Sequence, residues 1–307
     1  MPSISGNDVN GLGETAPRRP SVVYWAPNPA DIAHGRMQQW FYTVDPGLPA
    51  FRDEREKRRA AIAAPLPDLA LDRVSLSAEA WRKELNSFVD TEVCDMIGAA
   101  ELDEAWLFEG HKADWRNVIM MGFQHDYAEI EKAPDPHAGA EVMRQYSRAA
   151  IAAKILAGAM RRKGWDAEPV TGPMTGALAL IPAAIAAGFG ELGKHGSIIN
   201  PDFGSSFRLS AVLTDAPVPL SAPRDHGVDD FCAACRICED ACPPEAIAPK
   251  KKTVRGIEKW YVDFDRCLPF FNETQGCAIC IAVCPWSRPG IGLNLAAKLE
   301  RRARRSG

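Results

Sequence analysis

The chain has 307 residues, of which 46% are hydrophobic and 25% charged, a composition typical of a globular protein with a buried core. No apolar run reaches the roughly 18 residues that a membrane helix requires, so the sequence predicts no membrane span. The formal net charge of −4 disfavours nucleic acid as the main partner. Nine cysteines without a recognisable export signal indicate metal or redox use in the cytoplasm rather than a disulfide framework.

The first 222 residues divide into two regions. Residues 1–70 are rich in proline, glycine and charge, and they predict an extended arm wrapped on a core. In the region 71–222, residues 117–123 are β-prone, residues 140–164 have a helical period, and residues 206–218 alternate as a strand. This order predicts a mixed α/β (α+β) core, a sheet covered by helices, whose strand order the sequence leaves open.

Polarity rises around residues 221–230, and all but one of the cysteines follow. We therefore expect a separate cysteine-rich domain at 223–290. The last segment, 291–307, predicts a helix that ends in a basic run, a pattern typical of a solvated helix C-terminus.

Two cysteine runs give the strongest signal, and each ends in Cys-Pro. In two-cluster bacterial ferredoxins, the fourth cysteine of each run ligates the other [4Fe–4S] cubane. The same crossing predicts a first cysteine set of Cys232, Cys235, Cys238 and Cys284, and a second cysteine set of Cys242, Cys267, Cys277 and Cys280. Two such clusters pass one electron at a time, so they require an acceptor elsewhere in the chain.

Zinc is the rival interpretation of these cysteines. Zinc ribbons also use cysteines two residues apart, but they do not account for two runs that each end in Cys-Pro. The longer gap between Cys267 and Cys277 contains LPFFNETQG, which we expect to lie over the second cluster. Cys94 stands alone in a helical pattern and is interpreted as an ordinary buried thiol.

From about residue 140 to 287 the chain resembles the reductive dehalogenase and epoxyqueuosine reductase superfamily, and the dehalogenase branch more closely. The blocks that carry the resemblance are EVMRQYSRAAIAAKILAGAMRRKGWDA, IPAAIAAGFGELGKHGSIINPDFGSSFRLSAVLTD, DDFCAACRICEDACPPEAI, KWYVDFDRC and CAICIAVCPW. The resemblance implies a nitroreductase-like core followed by a ferredoxin-like domain with two [4Fe–4S] clusters. It also implies an oxidoreductase that passes electrons from an external donor (a ferredoxin, flavodoxin or flavin reductase) to a corrinoid or related tetrapyrrole.

The resemblance further implies two catalytic residues. By block position, Tyr146 is the proton donor, and Arg208 stabilises its phenolate and holds the substrate anion, with Lys194 as a substitute basic candidate. Such a pairing is chemically sound, because arginine keeps its charge when buried. The structural alternatives are a core aromatic residue for Tyr146 and a surface strand residue for Arg208.

The glycine-rich GFGELGKHGSIIN stretch borders the corrinoid in the family, and glycines allow the backbone to approach a ligand closely. The expected cofactor contacts are Gly190, Gly193, Lys194, His195, Gly196, Ser197 and Asn200. No D-x-H-x-x-G string occurs in the chain, so the resemblance implies base-off cobalamin without a histidine ligand from the protein.

The leading hypothesis is a reductase that cleaves a carbon–heteroatom bond of a small molecule, with a halogenated aromatic compound as the expected substrate. Two alternatives stay open: a non-catalytic iron–sulfur electron carrier that has lost the corrinoid, and an epoxyqueuosine-reductase-like tRNA modification enzyme. The VTGPMTG segment favours the carrier, because many dehalogenases have an asparagine-containing stretch there. The acidic charge balance disfavours tRNA as a substrate.

Overall fold

The computed structural model describes residues 4–45, 47–172 and 176–306; residues 173–175 of the VTGPMTG segment lie outside this part. The helices are α1 Gly6–Val9, α2 Gly35–Thr43, α3 Pro49–Ala63, α4 Ala78–Asp90, α5 Tyr127–Ile130, α6 Pro136–Arg162, α7 Leu180–Ala186, α8 Val228–Ala234, α9 Ile237–Asp240, α10 Phe264–Glu273, α11 Ile279–Ala282 and α12 Ile291–Ser306. The strands are β1 Met96–Glu101, β2 Asn117–Gln124, β3 Ala167–Val170, β4 Glu191–Leu192, β5 Ile198–Ile199, β6 Phe207–Thr214, β7 Lys252–Val254 and β8 Ile257–Lys259. In this part of the chain, no helix combines the length and the apolar character that crossing a bilayer requires.

The core is an antiparallel sheet in the order β1-β2-β6-β3 with helices on both faces. Strand β2 is buried along most of its length. Because successive side chains of a strand point to opposite faces, both faces of the sheet are covered at this strand. Ile119, Met121 and Phe123 pack in one apolar layer with residues of α4 and α6. Val118 and Met120 pack in the other layer with α7. The sheet covered by helices that the sequence predicted is therefore present.

Helix α6 packs against the N-terminal arm, residues 1–70, through α3. Asp135 caps it by accepting a hydrogen bond from the backbone N–H of His137, and Pro136 takes the first helical position, where its missing N–H costs nothing. Many of its buried residues are alanines, which allow α3 to approach closely. Ser147 Oγ donates to the backbone oxygen of Glu54 in α3 over 2.9 Å. This packing places the side chain of α3 residue Arg58 beside α6.

The first 70 residues are not extended throughout, which corrects the prediction. Residues 49–63 consist mainly of alanine, arginine, glutamate and lysine, which are strong helix formers. An ion pair between Lys57 and Glu54 at 2.6 Å supports the exposed side of this helix. Phe51 fixes its inner side, since it is only 2% exposed.

The arm contacts the cysteine-rich domain at several points. Leu12 forms an isolated β-bridge with Val254 in the hairpin β7-β8. Asn272 Nδ2 donates to the backbone oxygen of Met37 over 2.9 Å, and its Oδ1 accepts from the hydroxyl of Tyr24. The arm therefore closes over α10 and the cysteines that follow it.

The cysteine-rich domain has a small core of its own. Val228, Trp260 and Trp286 are buried together with Cys232 and Cys284. Two leucines of α12, Leu295 and Leu299, pack against this cluster, while the basic residues 301–305 at the end of the helix are exposed.

Candidate functional site

The first cysteine set (Cys232, Cys235, Cys238 and Cys284) surrounds a small enclosed space, the first-set cavity. Burial raises the pKa of the Cys232 thiol to about 11 and that of Cys238 to about 12. Burial also raises the pKa of Cys284, but hydrogen bonds from the backbone N–H of Trp286 and the hydroxyl of Ser205 act in the opposite direction. Cys232, Cys235 and Cys238 lie close together in sequence in the α8–α9 region, and Cys284 follows α11.

The second cysteine set (Cys242, Cys267, Cys277 and Cys280) lines a larger space, the central cavity, of about 340 Å³. Burial raises the pKa of Cys267 to about 12, and the neighbouring thiols of Cys277 and Cys242 add to this shift. Burial likewise raises the pKa of Cys280, with its strongest neighbouring contribution from Cys277. The structure thus brings the cysteines together in the two sets of the crossing pattern, and their role as ligands stays a prediction.

The ligand type of both sets fits a [4Fe–4S] cubane, which takes one thiolate at each of four irons. Each set also offers thiols alone, the ligand type that iron–sulfur clusters use.

A strained turn presents the second set. Four consecutive residues, 275–278, have positive φ values, including +42° at Cys277 and +65° at Ala278. Such a backbone persists only where its surroundings hold it, and it is common at functional sites. Here Thr274 Oγ1 accepts from the Cys277 backbone N–H over 3.1 Å, and Gln275 Nε2 donates to the backbone oxygen of Phe41 over 2.7 Å. The arm and the turn therefore fix each other.

The central cavity is also lined by Tyr146, Arg208 and Arg58. The Cζ atom of Arg208 lies 5.3 Å from the centroid of the Tyr146 ring, and that of Arg58 lies 5.9 Å from it. Nε of Arg208 is buried and has no hydrogen-bond partner in the described part of the chain. Burial lowers the pKa of Arg58, but an arginine starts so high that it keeps its charge near neutral pH. The structure thus brings the two predicted catalytic residues together and adds a second cation that the sequence did not reveal.

His125 stands behind Arg208. Its Nδ1 lies 3.3 Å from the hydroxyl of Ser206, and the ring is 3% exposed. Burial lowers the pKa of His125 well below its usual value, and the positive charge of Arg208 adds to this effect. A neutral imidazole therefore accompanies the guanidinium.

A second space, the side cavity, has a volume of about 740 Å³ and adjoins the central cavity. The two share five lining residues, Trp25, Tyr146, Ile181, Ser197 and Arg208. The arm supplies an aromatic wall, in which Trp25 meets Phe41 edge to face at 5.1 Å, and Phe41 stacks on Phe271 at 5.6 Å. The joined cavities are large and mostly apolar, with two half-buried arginines, which suits a large planar cofactor together with a small substrate.

Three of the predicted cofactor contacts lie on these cavities. Gly196 and Ser197 line the central cavity, and Ser197 also faces the side cavity. His195 borders both the central and the first-set cavity. Lys194 lies on the first-set cavity instead, next to the cysteines.

The remaining three candidates support the loop. Asn200 Nδ2 donates to the backbone oxygen of Phe189 over 2.8 Å. Gly190 has a φ of +143°, and a Cβ atom there would lie 2.0 Å from the backbone oxygen of Ile199, so only glycine fits. Gly193 packs against the side chains of Ile199 and His195. None of these three borders the central cavity or the side cavity.

Comparison with known proteins places these features in context. Residues 231–287 match a 4Fe-4S dicluster domain. Tetrachloroethene reductive dehalogenase of Desulfitobacterium hafniense is 34% identical over 208 residues, which cover 63% of this chain and 37% of that protein. Epoxyqueuosine reductase of Escherichia coli (strain K12) is 32% identical over 124 residues, which cover 35% of this chain and 29% of that protein. A solved reductive dehalogenase, studied for B12-dependent dehalogenation, matches 79% of this chain and 37% of its own with a TM-score of 0.67 and 25% identity.

The fold and the family match define a mixed sheet-and-helix core followed by a dicluster iron–sulfur domain, and the prediction of two [4Fe–4S] clusters is confirmed. The resemblance to reductive dehalogenases and epoxyqueuosine reductases is likewise confirmed, with the dehalogenases more similar. The chain spans little more than a third of the length of the dehalogenase that it matches, 37%.

Proposed function

We propose that this chain is a reductive dehalogenase-like oxidoreductase with a corrinoid in the joined central and side cavities. Of the two sets, the second lines the central cavity, so a cluster held there would supply single electrons to the cavity, and a cluster held by the first set would receive them from an external donor. The observation that carries the proposal is the meeting of Tyr146 and Arg208 on the same cavity as the cysteines of the second set. The bound corrinoid supplies the strongly reducing metal centre.

Replacement of a halogen by hydrogen consumes two electrons and one proton and releases a halide ion. Tyr146 is the proton donor, because its hydroxyl is carried on the rigid helix α6 at the shared wall of both cavities. The positive charge of Arg208 stabilises the phenolate left behind, and its guanidinium group, which lies on both cavities, binds an anionic group of the substrate.

The aromatic wall indicates the substrate class. Trp25, Phe41 and Phe271 form a continuous apolar surface on the central cavity. Aromatic side chains pack well against a flat ring, and the two guanidinium groups would hold an anionic substituent. A halogenated aromatic compound with an anionic group fits both features.

The test is anaerobic reconstitution of the chain with iron, sulfide and cobalamin, followed by metal analysis and ultraviolet–visible spectroscopy. We expect about eight irons and one cobalt per chain, and halide release from halogenated aromatic acids when a low-potential donor is supplied. Full iron loading without retention of cobalamin or another tetrapyrrole would overturn the proposal and favour the electron carrier.

A further inference from the structure

Lys194 is buried beside the first cysteine set. It lies in the turn between β4 and β5, and the residue is 1% exposed. Its Nζ donates to the backbone oxygen of Cys235 over 2.8 Å, lies 3.5 Å from Glu239 Oε2, and stands 5.1 Å from the ring centroid of Trp260. Lysine is almost never fully buried unless it is paired, so this position requires an explanation.

Lys194 lines the first-set cavity together with its four cysteines. Burial raises the pKa of the Cys232 thiol, and both the backbone N–H and the ammonium group of Lys194 act in the opposite direction. The same ammonium group opposes the effect of burial on the pKa of Cys238. Lys194 therefore stabilises negative charge on the first set through a hydrogen bond and through its own charge.

His195 adds a further donor at the same place. Its Nδ1 accepts from the backbone N–H of Ser197 over 3.2 Å, which leaves the ring proton on Nε2. That Nε2 is buried without a partner in the described part of the chain, and the ring borders the first-set cavity. A buried donor of this kind is satisfied when an acceptor, such as a cluster sulfur, occupies the cavity.

The cations beside the second set are placed differently. Arg58 and Arg208 share the central cavity with its cysteines, but their guanidinium carbons stand over the Tyr146 ring. Nζ of Lys194 instead donates to the backbone oxygen of Cys235, a member of the first set itself.

We propose that Lys194 raises the reduction potential of the first cluster. Reduction adds one negative charge to a cluster, and nearby positive charge and hydrogen bonds to its sulfurs favour the reduced form. The buried ammonium group of Lys194 would therefore favour the reduced form of a cluster held by the first set. This inference rests on the proposed ligand sets and not on the corrinoid.

The test is a redox titration of the anaerobically reconstituted full chain, monitored by electron paramagnetic resonance. Wild-type protein should show two one-electron steps. Lys194→Met should lower the potential of one step, that of the first cluster, by about 59 mV, which corresponds to about a tenfold change in the ratio of reduced to oxidised cluster. The other step should stay in place. Glu239→Gln removes the anionic partner of Lys194 and should move the same step in the opposite direction.

Lys251→Met is the matched control. Lys251 stands over the same Trp260 ring at 5.6 Å, but it pairs with Asp229, is 31% exposed and lies off the first-set cavity. Because solvent screens its charge, both steps should stay at their wild-type potentials.

The outcomes separate this inference from the proposed function. Wild-type protein without about eight irons would refute the ligand sets themselves. If the wild type is fully loaded, unchanged steps in the variants, or equal shifts of both steps, would refute the role of Lys194. If Lys194→Met does not load its clusters, the titration of Lys194→Gln decides, because this variant keeps a side-chain donor without the charge and a purely structural role predicts unchanged steps.

Discussion

The guanidinium carbon of Arg208 lies 5.3 Å from the centroid of the Tyr146 ring, although one residue comes from β6 and the other from α6. The sheet and its covering helix thus bring a phenol and a permanent cation together at a cavity wall. Because a cation favours the anion that a phenol leaves after donating its proton, the pair is equipped for general acid catalysis.

Tyr146→Phe removes the hydroxyl and leaves the ring in place. We expect halide release to fall about 10²-fold or more, because the proton donor is lost. Iron and cobalamin contents should stay at wild-type levels. Tyr261→Phe is the matched control, since Tyr261 is also buried, donates to Asn7 Oδ1 over 2.7 Å, and borders neither cavity. Equal turnover in wild type and Tyr146→Phe would remove Tyr146 from the mechanism.

Arg208→Gln and Arg208→Lys separate charge from geometry. The glutamine variant should lose about 10²-fold in turnover, since neither the phenolate nor a substrate anion is stabilised. The lysine variant should retain part of the activity, because it keeps the charge but loses the planar pair of donors. Steady-state kinetics on both variants provide the measurement. Comparable activity in the glutamine and lysine variants would show that the charge of Arg208 does not matter.

The sequence predicted the two cysteine sets from their local spacing, and it predicted the pairing of Tyr146 with Arg208 from the family resemblance. The two cysteine runs are local patterns, and their crossing places them in the same two groups that the structure shows around its cavities. Arg58 was not predicted, because it lies in a charged run that resembles a solvated helix face. Its neighbours Lys57 and Arg59 are indeed exposed, and only the packing of α3 on α6 turns Arg58 toward Tyr146.

Tertiary contacts also explain why the role of Lys194 was predicted differently. The resemblance to dehalogenases implied that its glycine-rich loop borders the corrinoid, so a cofactor contact was expected. The turn between β4 and β5 instead directs the side chain toward Cys235. The direction of one side chain in a turn depends on the hairpin and on α9, which the sequence pattern does not reveal.

Cys284→Ala tests the crossing of the ligands. Cys284 follows the second run in sequence but lies on the first-set cavity, so its loss should abolish the signal of the first cluster and preserve that of the second. Electron paramagnetic resonance of the reduced protein, with iron analysis, provides the measurement. Cys94→Ala is the control: this thiol is 1% exposed, and burial raises its pKa to about 12. An equal loss of iron in both variants would indicate a general folding defect instead.

Asn272→Leu tests how the arm is held. Asn272 is fully buried and pairs with the hydroxyl of Tyr24 and the backbone oxygen of Met37. The substitution leaves two buried polar groups unpaired, at about 1–3 kcal/mol each, so the arm should open more often. Limited proteolysis under anaerobic conditions should cut within the first 70 residues at least about tenfold faster. The control is Asn294→Leu, at an exposed site of α12, which should leave the cleavage rate unchanged. An unchanged cleavage rate in Asn272→Leu would mean that other contacts hold the arm.

His125 should make the protein sensitive to acid. Its pKa in the folded protein lies well below the value of about 6.5 in the unfolded chain, so the unfolded state binds a proton first. The contribution of His125 to stability is therefore present above pH 6.5 and falls as the pH drops, by about 1.4 kcal/mol between pH 7.5 and 5.5. In His125→Asn, the loss of unfolding free energy between these pH values should be smaller by that amount, as measured by anaerobic urea unfolding. The control is substitution of the exposed His111 by Asn, which should leave the pH dependence of the unfolding free energy at the wild-type value. If His125→Asn also kept the wild-type pH dependence, burial of His125 would not control acid stability.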